Sequence, residues 1–178
     1  MRTVIVGNSG SGKTWLATRL GERAGASTVH LDDIFWQPGG FEQKRSPDDV
    51  ARLIDAHRTQ PNWIAEGVYG DLAAEFVPYA DTLIWLDFPW SICRTRIDDR
   101  GSTGDTYMGR EQTERSLRNL VNWAEDYYSR GGTCSLAAHA AMFHEFPGPR
   151  FRLRTVEEVR AYLDTVHAVS DRATDAGR

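Results

Sequence analysis
A run of β-branched residues, Thr3 to Val6, passes directly into the octapeptide GNSGSGKT, Gly7 to Thr14, and few folds can accommodate that junction. The unbroken apolar character of the run suits a strand covered on both faces rather than one with alternating exposure. The glycines that follow let successive backbone N–H groups point inward. From Lys13 the spacing becomes helical. Leu16 and Leu20 lie one turn apart, Ala17 and Ala24 sit beside them, and Gly25 is placed to end the helix. Strand, glycine turn and helix amino end make a cradle for an anion, to which Lys13 adds an ammonium group and Thr14 a hydroxyl. Backbone or side-chain groups of Gly7, Asn8, Ser9, Gly10, Ser11, Gly12, Lys13 and Thr14 would hold the phosphates. Lys13 would reach the β- and γ-phosphates and Thr14 a magnesium ion.

The rest of the chain repeats the alternation. Ser27 to Asp32 reads as a second strand ending in acids, followed by the aromatic loop Phe35, Trp36, Pro38, Gly39 and Gly40. Ser46 and Pro47 open a helix with Asp48 and Asp49 in its first turn. Trp63 to Glu66 is a third strand, closed by Gly67, and a short helix spans Asp71 to Val77. Thr82 to Asp87 is a fourth strand. A helix over Ser91 to Arg100 leads into the polar GSTG, Gly101 to Gly104, which opens a loop to about Arg110. A long helix is expected from Thr113 to Ser129, an Ala-rich helix to His144, and a fifth strand from Arg150 to Arg154. Thr155 with Glu158 forms a capping box for the last helix, and a frayed tail is expected after Ser170. Strands alternating with helices predict an α/β fold with a parallel sheet covered on both faces and ligands at the carboxyl ends of the strands. The organisation expected is one domain over residues 1–170, a variable region at about 101–148, and a flexible tail at 171–178.

Bulk properties narrow the function. A formal net charge of -4 over 178 residues argues against a nucleic-acid binder that works by blanket phosphate neutralisation. No apolar run approaches the roughly 20 residues that span a bilayer, so no membrane partner is expected and a cytoplasmic location is the default. Cys93 and Cys134 stand in no ligand spacing. His30, His57, His139, His144 and His167 show no metal-binding pattern either.

Several side chains suit chemistry at the strand ends. Arg96 and Arg100 are four residues apart on one helix face, where guanidinium forks can neutralise a phosphoryl group in flight. The competing reading is a solvated face with Asp99 as partner. Asp32 could orient or deprotonate an acceptor hydroxyl, or Asp32 and Asp33 could only cap a turn. Glu66, before Gly67, could hold a water of a magnesium shell, with Asp87 as the rival carboxylate. Trp36, Phe41 and Tyr69 could line an acceptor pocket, while Trp15, Trp63, Trp85 and Trp123 read as core or partly buried packing residues.

With GNSGSGKT, HLDDIFWQPGG, WIAEGVYGD, LIWLDFPWSICRTRIDDR and FRLRTVEEVRAYL in this order, the chain resembles the adenylate-kinase-like branch of the P-loop kinases. It is most similar to the small group named DNA topology modulation proteins. That resemblance implies a three-layer P-loop NTPase fold, a five-stranded parallel sheet flanked by helices with a short arginine-bearing lid. It assigns Glu66 with Gly67 to the magnesium side, Arg96 and Arg100 to the lid, and Asp32 rather than Asp33 to the acceptor. Two departures stand out: Glu66 occupies a usual aspartate position, and Trp90 a usual arginine position. The implied activity is transfer of the γ-phosphoryl group of ATP, with Mg2+, to a small-molecule acceptor such as a nucleotide or nucleoside. Asp32, Trp36, Gly67 and Tyr69 would contact that acceptor, and Lys13, Asp32, Arg96 and Arg100 would serve catalysis. The rival is an ATP-hydrolysing regulator that acts through a protein partner, for which cis arginines and an acceptor-side acid are unnecessary. Sequence leaves the oligomeric state open.

Overall fold
β1 (Arg2–Gly7) is almost wholly buried because the chain lays a strand on each side of it. The computed structural model describes residues 1–38, 43–102, 106–107, 110–111 and 114–175. After β1 come α1 (Lys13–Ala24), β2 (Ser27–His30), α2 (Leu31–Phe35), α3 (Pro47–Arg58), β3 (Trp63–Gly67) and α4 (Gly70–Phe76). Then follow β4 (Thr82–Leu86), α5 (Trp90–Ser102), the short strands β5 (Thr106–Tyr107) and β6 (Arg110–Glu111), α6 (Glu114–Glu125), α7 (Leu136–Glu145), β7 (Arg150–Leu153) and α8 (Val156–Asp175). The main sheet has five strands in the order β2-β3-β1-β4-β7, all pairings parallel. The chain leaves β1 towards β3 and β2, then returns to its other side for β4. Such a switch point opens a crevice at the carboxyl ends, directly beyond β1.

Alternation along the strands divides the core between the two faces. Val4 and Val6 point to one face with Trp63, Ala65, Leu83 and Trp85, where Ile54, Leu72, Phe76 and Phe146 cover them. Ile5 points to the other with Ile64, Ile84 and Leu86, under Leu16 and Leu20 of α1 and Val159, Tyr162 and Leu163 of α8. Each fully buried Leu or Ile contributes about 1.5–3 kcal/mol, so both faces of the central strands are strongly specified. Ile97 of α5 packs against Val121 and Ala124 of α6 in a smaller third cluster.

The expected caps are present. Ser46 Oγ accepts from the Asp49 amide at 3.2 Å, and Thr155 and Glu158 exchange hydrogen bonds at 3.2 and 3.3 Å. Gly25 ends α1 in the left-handed conformation at φ 60°.

Other expectations require correction. β2 stops at His30, and Asp32 lies in the first turn of α2 rather than in the strand. Leu31 and Ile34, both buried, are spaced to bury one side of a helical turn, and acids are favourable at its amino end. Trp15 is 51% exposed rather than packed, because it lies beside the buried stripe Leu16, Ala17, Leu20 and Gly21. Gly101 and Ser102 remain helical in α5, and α6 gives way after Glu125 to a tighter turn over Asp126–Tyr128. α8 continues to Asp175, beyond the expected end near Ser170. Phe41 and most of the expected loop after Ser102 lie outside the described residues.

Candidate active site
Gly10 and Gly12 adopt left-handed φ values of 77° and 96°, so GNSGSGKT folds tightly over the end of β1. At Gly10 the wall is another backbone: a Cβ there would collide with the Cys93 carbonyl of α5. Three side chains then organise the loop. Asn8, buried, accepts from the Ser9 amide at 2.8 Å and donates to the Ala124 carbonyl of α6 at 2.8 Å. Lys13 Nζ donates to the Asn8 carbonyl at 2.9 Å. The Arg96 guanidinium donates to the Ser11 carbonyl at 2.9 Å and stacks 4.5 Å from the Phe88 ring. The carbonyls of Asn8 and Ser11 are thereby held by cations, whereas the amino end of α1 has no side-chain cap and no acid in its first turn. An uncapped helix amino end with a lysine at its first position favours an anion.

Glu66, the penultimate residue of β3, lies beneath this loop and is 3% exposed. Its Oε1 accepts from Thr14 Oγ1 at 2.8 Å and from His30 Nδ1 at 2.7 Å. Burial alone would push this carboxyl up, but the His30 hydrogen bond, the Lys13 charge and the Thr14 hydroxyl outweigh it and hold Glu66 below the ordinary range. His30 is correspondingly raised, chiefly by its hydrogen bond to Glu66 against the effect of burial. Burial lowers Lys13, an effect opposed by the Glu66 and Asp32 carboxylates. Asp87 is engaged elsewhere: Arg152 donates to its Oδ2 at 2.8 and 2.6 Å, and Arg154 approaches it at 3.8 Å. Glu66 is thus bonded to Thr14 of the loop, whereas Asp87 is paired with arginines in β7 and just beyond it.

On the β2 side of the loop an aromatic wall stands beside Asp32. Trp36 Nε1 donates to the Tyr69 hydroxyl at 2.7 Å, and Phe35 stacks on Tyr69 at 4.6 Å. Burial, then the Asp32 charge, pushes the Tyr69 phenol up, so it stays a neutral donor. Arg100, in the last turn of α5, is close enough for its charge to act on Lys13. The structure therefore brings Lys13, Thr14, Asp32, Glu66, Gly67, Tyr69 and Arg100 to the carboxyl-end side of the sheet, where the charges of Glu66, Asp32 and Arg100 act on Lys13 and that of Asp32 acts on Tyr69. Arg96 lies there too, but its guanidinium rests on the loop's carbonyls.

Sequence reasoning missed His30 and the clamp that Asn8 makes on α6. His30 was visible as the residue before LDDIF, yet only the β2–β3 register, which sets it beside Glu66, reveals a partner. Nothing along the chain distinguishes His139 either. It is fully buried, 2.8 Å from the Tyr127 hydroxyl and 3.2 Å from the Val68 carbonyl, so it braces the loop between Gly67 and Tyr69.

The residues present fit a nucleotide polyphosphate with a divalent cation. Among the described residues no cluster of three or more His, Cys, Asp or Glu could hold a metal by itself. A hydroxyl beside one buried carboxylate instead suits Mg2+, which keeps several waters and borrows phosphate oxygens.

Comparison with known proteins bears on the family and the fold. No family model matches the chain. A cytidylate kinase of Methanoculleus marisnigri is 30% identical over 139 residues, 72% of this chain and 76% of that protein. The shikimate kinase of Aquifex aeolicus superposes over 100% of both chains with a TM-score of 0.51 at 13% identity. The shikimate kinase of Acinetobacter baumannii, solved with shikimate, covers 93% of this chain and 90% of that one, with a TM-score of 0.51 at 14% identity. At such identities the two structures bear on fold alone, and both share this α/β architecture.

Proposed function
Because the chain belongs to the P-loop kinase family of which cytidylate kinase is a member, we propose that it transfers the γ-phosphoryl group of ATP, with Mg2+, to a small acceptor of the nucleotide or nucleoside class. The observation that carries this reading is the Thr14–Glu66 hydrogen bond of 2.8 Å at the uncapped start of α1. It sets a hydroxyl, a buried carboxylate and the Lys13 ammonium around one anion-favouring point.

In this mechanism the α1 amino end and Lys13 bind the phosphates, and Thr14 with Glu66 orients the cation side. Mg2+, when bound, would spread the charge of the transferring group over its own coordination sphere. Asp32 orients the acceptor hydroxyl and can take its proton, while Tyr69, Trp36 and Gly67 shape the acceptor side. Arg100 supplies positive charge as the phosphoryl group moves, and Arg96 keeps the loop's amides aimed inward. Beyond the β4 side of the loop, we assign the rest of the nucleotide to an open surface depression lined by Asp87, Phe88, Tyr128, Leu136, Arg152 and Arg154. Within the family, the ordered segments support a place in the group named DNA topology modulation proteins. A cytoplasmic setting completes the proposal, supported by the free thiols of Cys93 and Cys134. Among the described residues no helix is long and apolar enough to cross a membrane.

The test is ADP release from ATP and Mg2+, measured alone and with a panel of nucleosides, nucleoside monophosphates and sugars. Stimulation by a nucleoside or its monophosphate is expected. A low rate that no acceptor changes would replace this reading with that of an ATP-hydrolysing regulator.

A further inference from the structure
His30 and Glu66 are lateral partners in the parallel β2–β3 pair, so their side chains leave the sheet on the same face. Glu66 receives His30 Nδ1 at 2.7 Å and Thr14 Oγ1 at 2.8 Å on the same oxygen, Oε1. An ionised carboxylate only accepts, so Nδ1 carries a proton and the Thr14 hydroxyl turns its hydrogen towards Glu66. The consequence falls on Thr14. With its hydrogen committed to Glu66, its lone pairs face away, as they must for the oxygen to meet a cation. Two donors converging on one oxygen also stop the carboxylate from rotating. Without His30, Glu66 would keep the Thr14 hydroxyl and the Lys13 charge but lose one of the two hydrogen bonds that fix its Oε1.

We propose that His30 is a positioning residue for the cation-dependent grip on nucleotide: it locks Glu66, and Glu66 orients the Thr14 hydroxyl. The proposal rests on the phosphotransfer reading. It makes His30 an outer-shell partner, of the kind that tunes a metal site without touching the metal. A histidine that merely tied β2 to β3 would affect stability, and would change nucleotide affinity equally with and without cation.

The experiment is calorimetric titration of ADP into the whole protein, in excess Mg2+ and in EDTA, for wild type, His30→Leu, His30→Asn, Glu66→Gln and the double variant His30→Leu/Glu66→Gln. The His30 side chain is 36% exposed, so its replacement is compatible with folding, and thermal melts verify this for each variant. His30→Leu is expected to lose about tenfold in affinity with Mg2+ and less than about twofold in EDTA. His30→Asn, which keeps a donor near the Nδ1 position, should recover most of that loss. Glu66→Gln should lose at least as much, and the double variant no more than Glu66→Gln alone, since His30 acts through Glu66. An undiminished Mg2+ enhancement in His30→Leu, equal weakening in both media, or additive losses in the double variant would overturn the assignment. Wild type that binds ADP no better with Mg2+ than in EDTA would instead sink the phosphotransfer reading, and this proposal with it.

Discussion

Acidification should weaken the fold through one buried side chain, His139. It has 0% exposure, and its ring lies between the Tyr127 hydroxyl at 2.8 Å and the Val68 carbonyl at 3.2 Å. One neutral tautomer satisfies both: Nε2–H donates to Val68, and Nδ1 accepts from Tyr127, whose oxygen accepts from Trp85 Nε1 at 3.3 Å. Burial, reinforced by the Lys13 charge, drives the imidazole down to about 3. In the unfolded chain it titrates near its ordinary value of about 6.5. Between those values the unfolded state binds a proton that the native state refuses, so stability rises with pH across the interval and falls on acidification. At about 1.36 kcal/mol per unit, the descent from about pH 6.5 to about pH 5 removes about 2 kcal/mol. The neighbouring pairs do not disturb this window. His30 is raised, so its contribution is fully present below about 6.5 and is lost only as pH rises through its folded value. Glu66 and Asp81 are lowered, so their contributions are lost only at more acid pH. Urea unfolding of wild type and His139→Gln across this range is the assay. Glutamine offers the Val68 carbonyl an amide donor and does not titrate. The variant starts less stable, having weakened the Tyr127 bond, but its stability should change about 2 kcal/mol less over the window. Parallel pH dependences for the two proteins would refute the reasoning.

Other perturbations separate the site's parts. Lys13→Ala should abolish phosphoryl transfer and leave the thermal midpoint nearly unchanged; normal turnover in that variant would remove the loop from the mechanism. Gly10→Ala forces a left-handed φ of 77° and a collision with the Cys93 carbonyl, so a cost of about 1–3 kcal/mol is expected, read as a melting point several degrees lower and a weakened grip on ADP. Asp87→Asn should lower stability by releasing Arg152 but leave the Mg2+ requirement unaltered, as kinetics at varied Mg2+ will show. Arg96→Lys keeps the charge and loses the planar fork on the loop. Its nucleotide KM should rise about tenfold or more, whereas a fall in kcat at constant KM would mean that Arg96 meets the phosphoryl group directly.

What can be read along the chain is whatever depends on neighbours in sequence. The strand, turn and helix of residues 3 to 25, the Ser46 and Thr155 caps and the alternation of elements all follow from local sterics and periodicity, and the structure contains them. Lys13 and Thr14 were legible for the same reason, since one loop carries both. The limits are also local: the pattern from Thr28 to Leu31 cannot say where a strand turns into a short helix, so along the chain Asp32 reads as a strand residue.

Tertiary structure alone decided which distant groups each of the two candidate carboxylates meets. Glu66 is the penultimate residue of β3 and Asp87 follows the last residue of β4, and the resemblance that singles out Glu66 does not say what either carboxylate touches. Parallel pairing brings His30 across 36 positions to Glu66, Thr14 reaches it across 52, and Arg152 occupies Asp87 across 65. Likewise, Asn8 grips α6 across 116 positions, and Arg96 bends onto the loop across 85. Periodicity reports which face of an element is apolar, but not which distant polar group a folded chain will set 3 Å away. That choice is made when strands acquire a register and helices settle on the sheet.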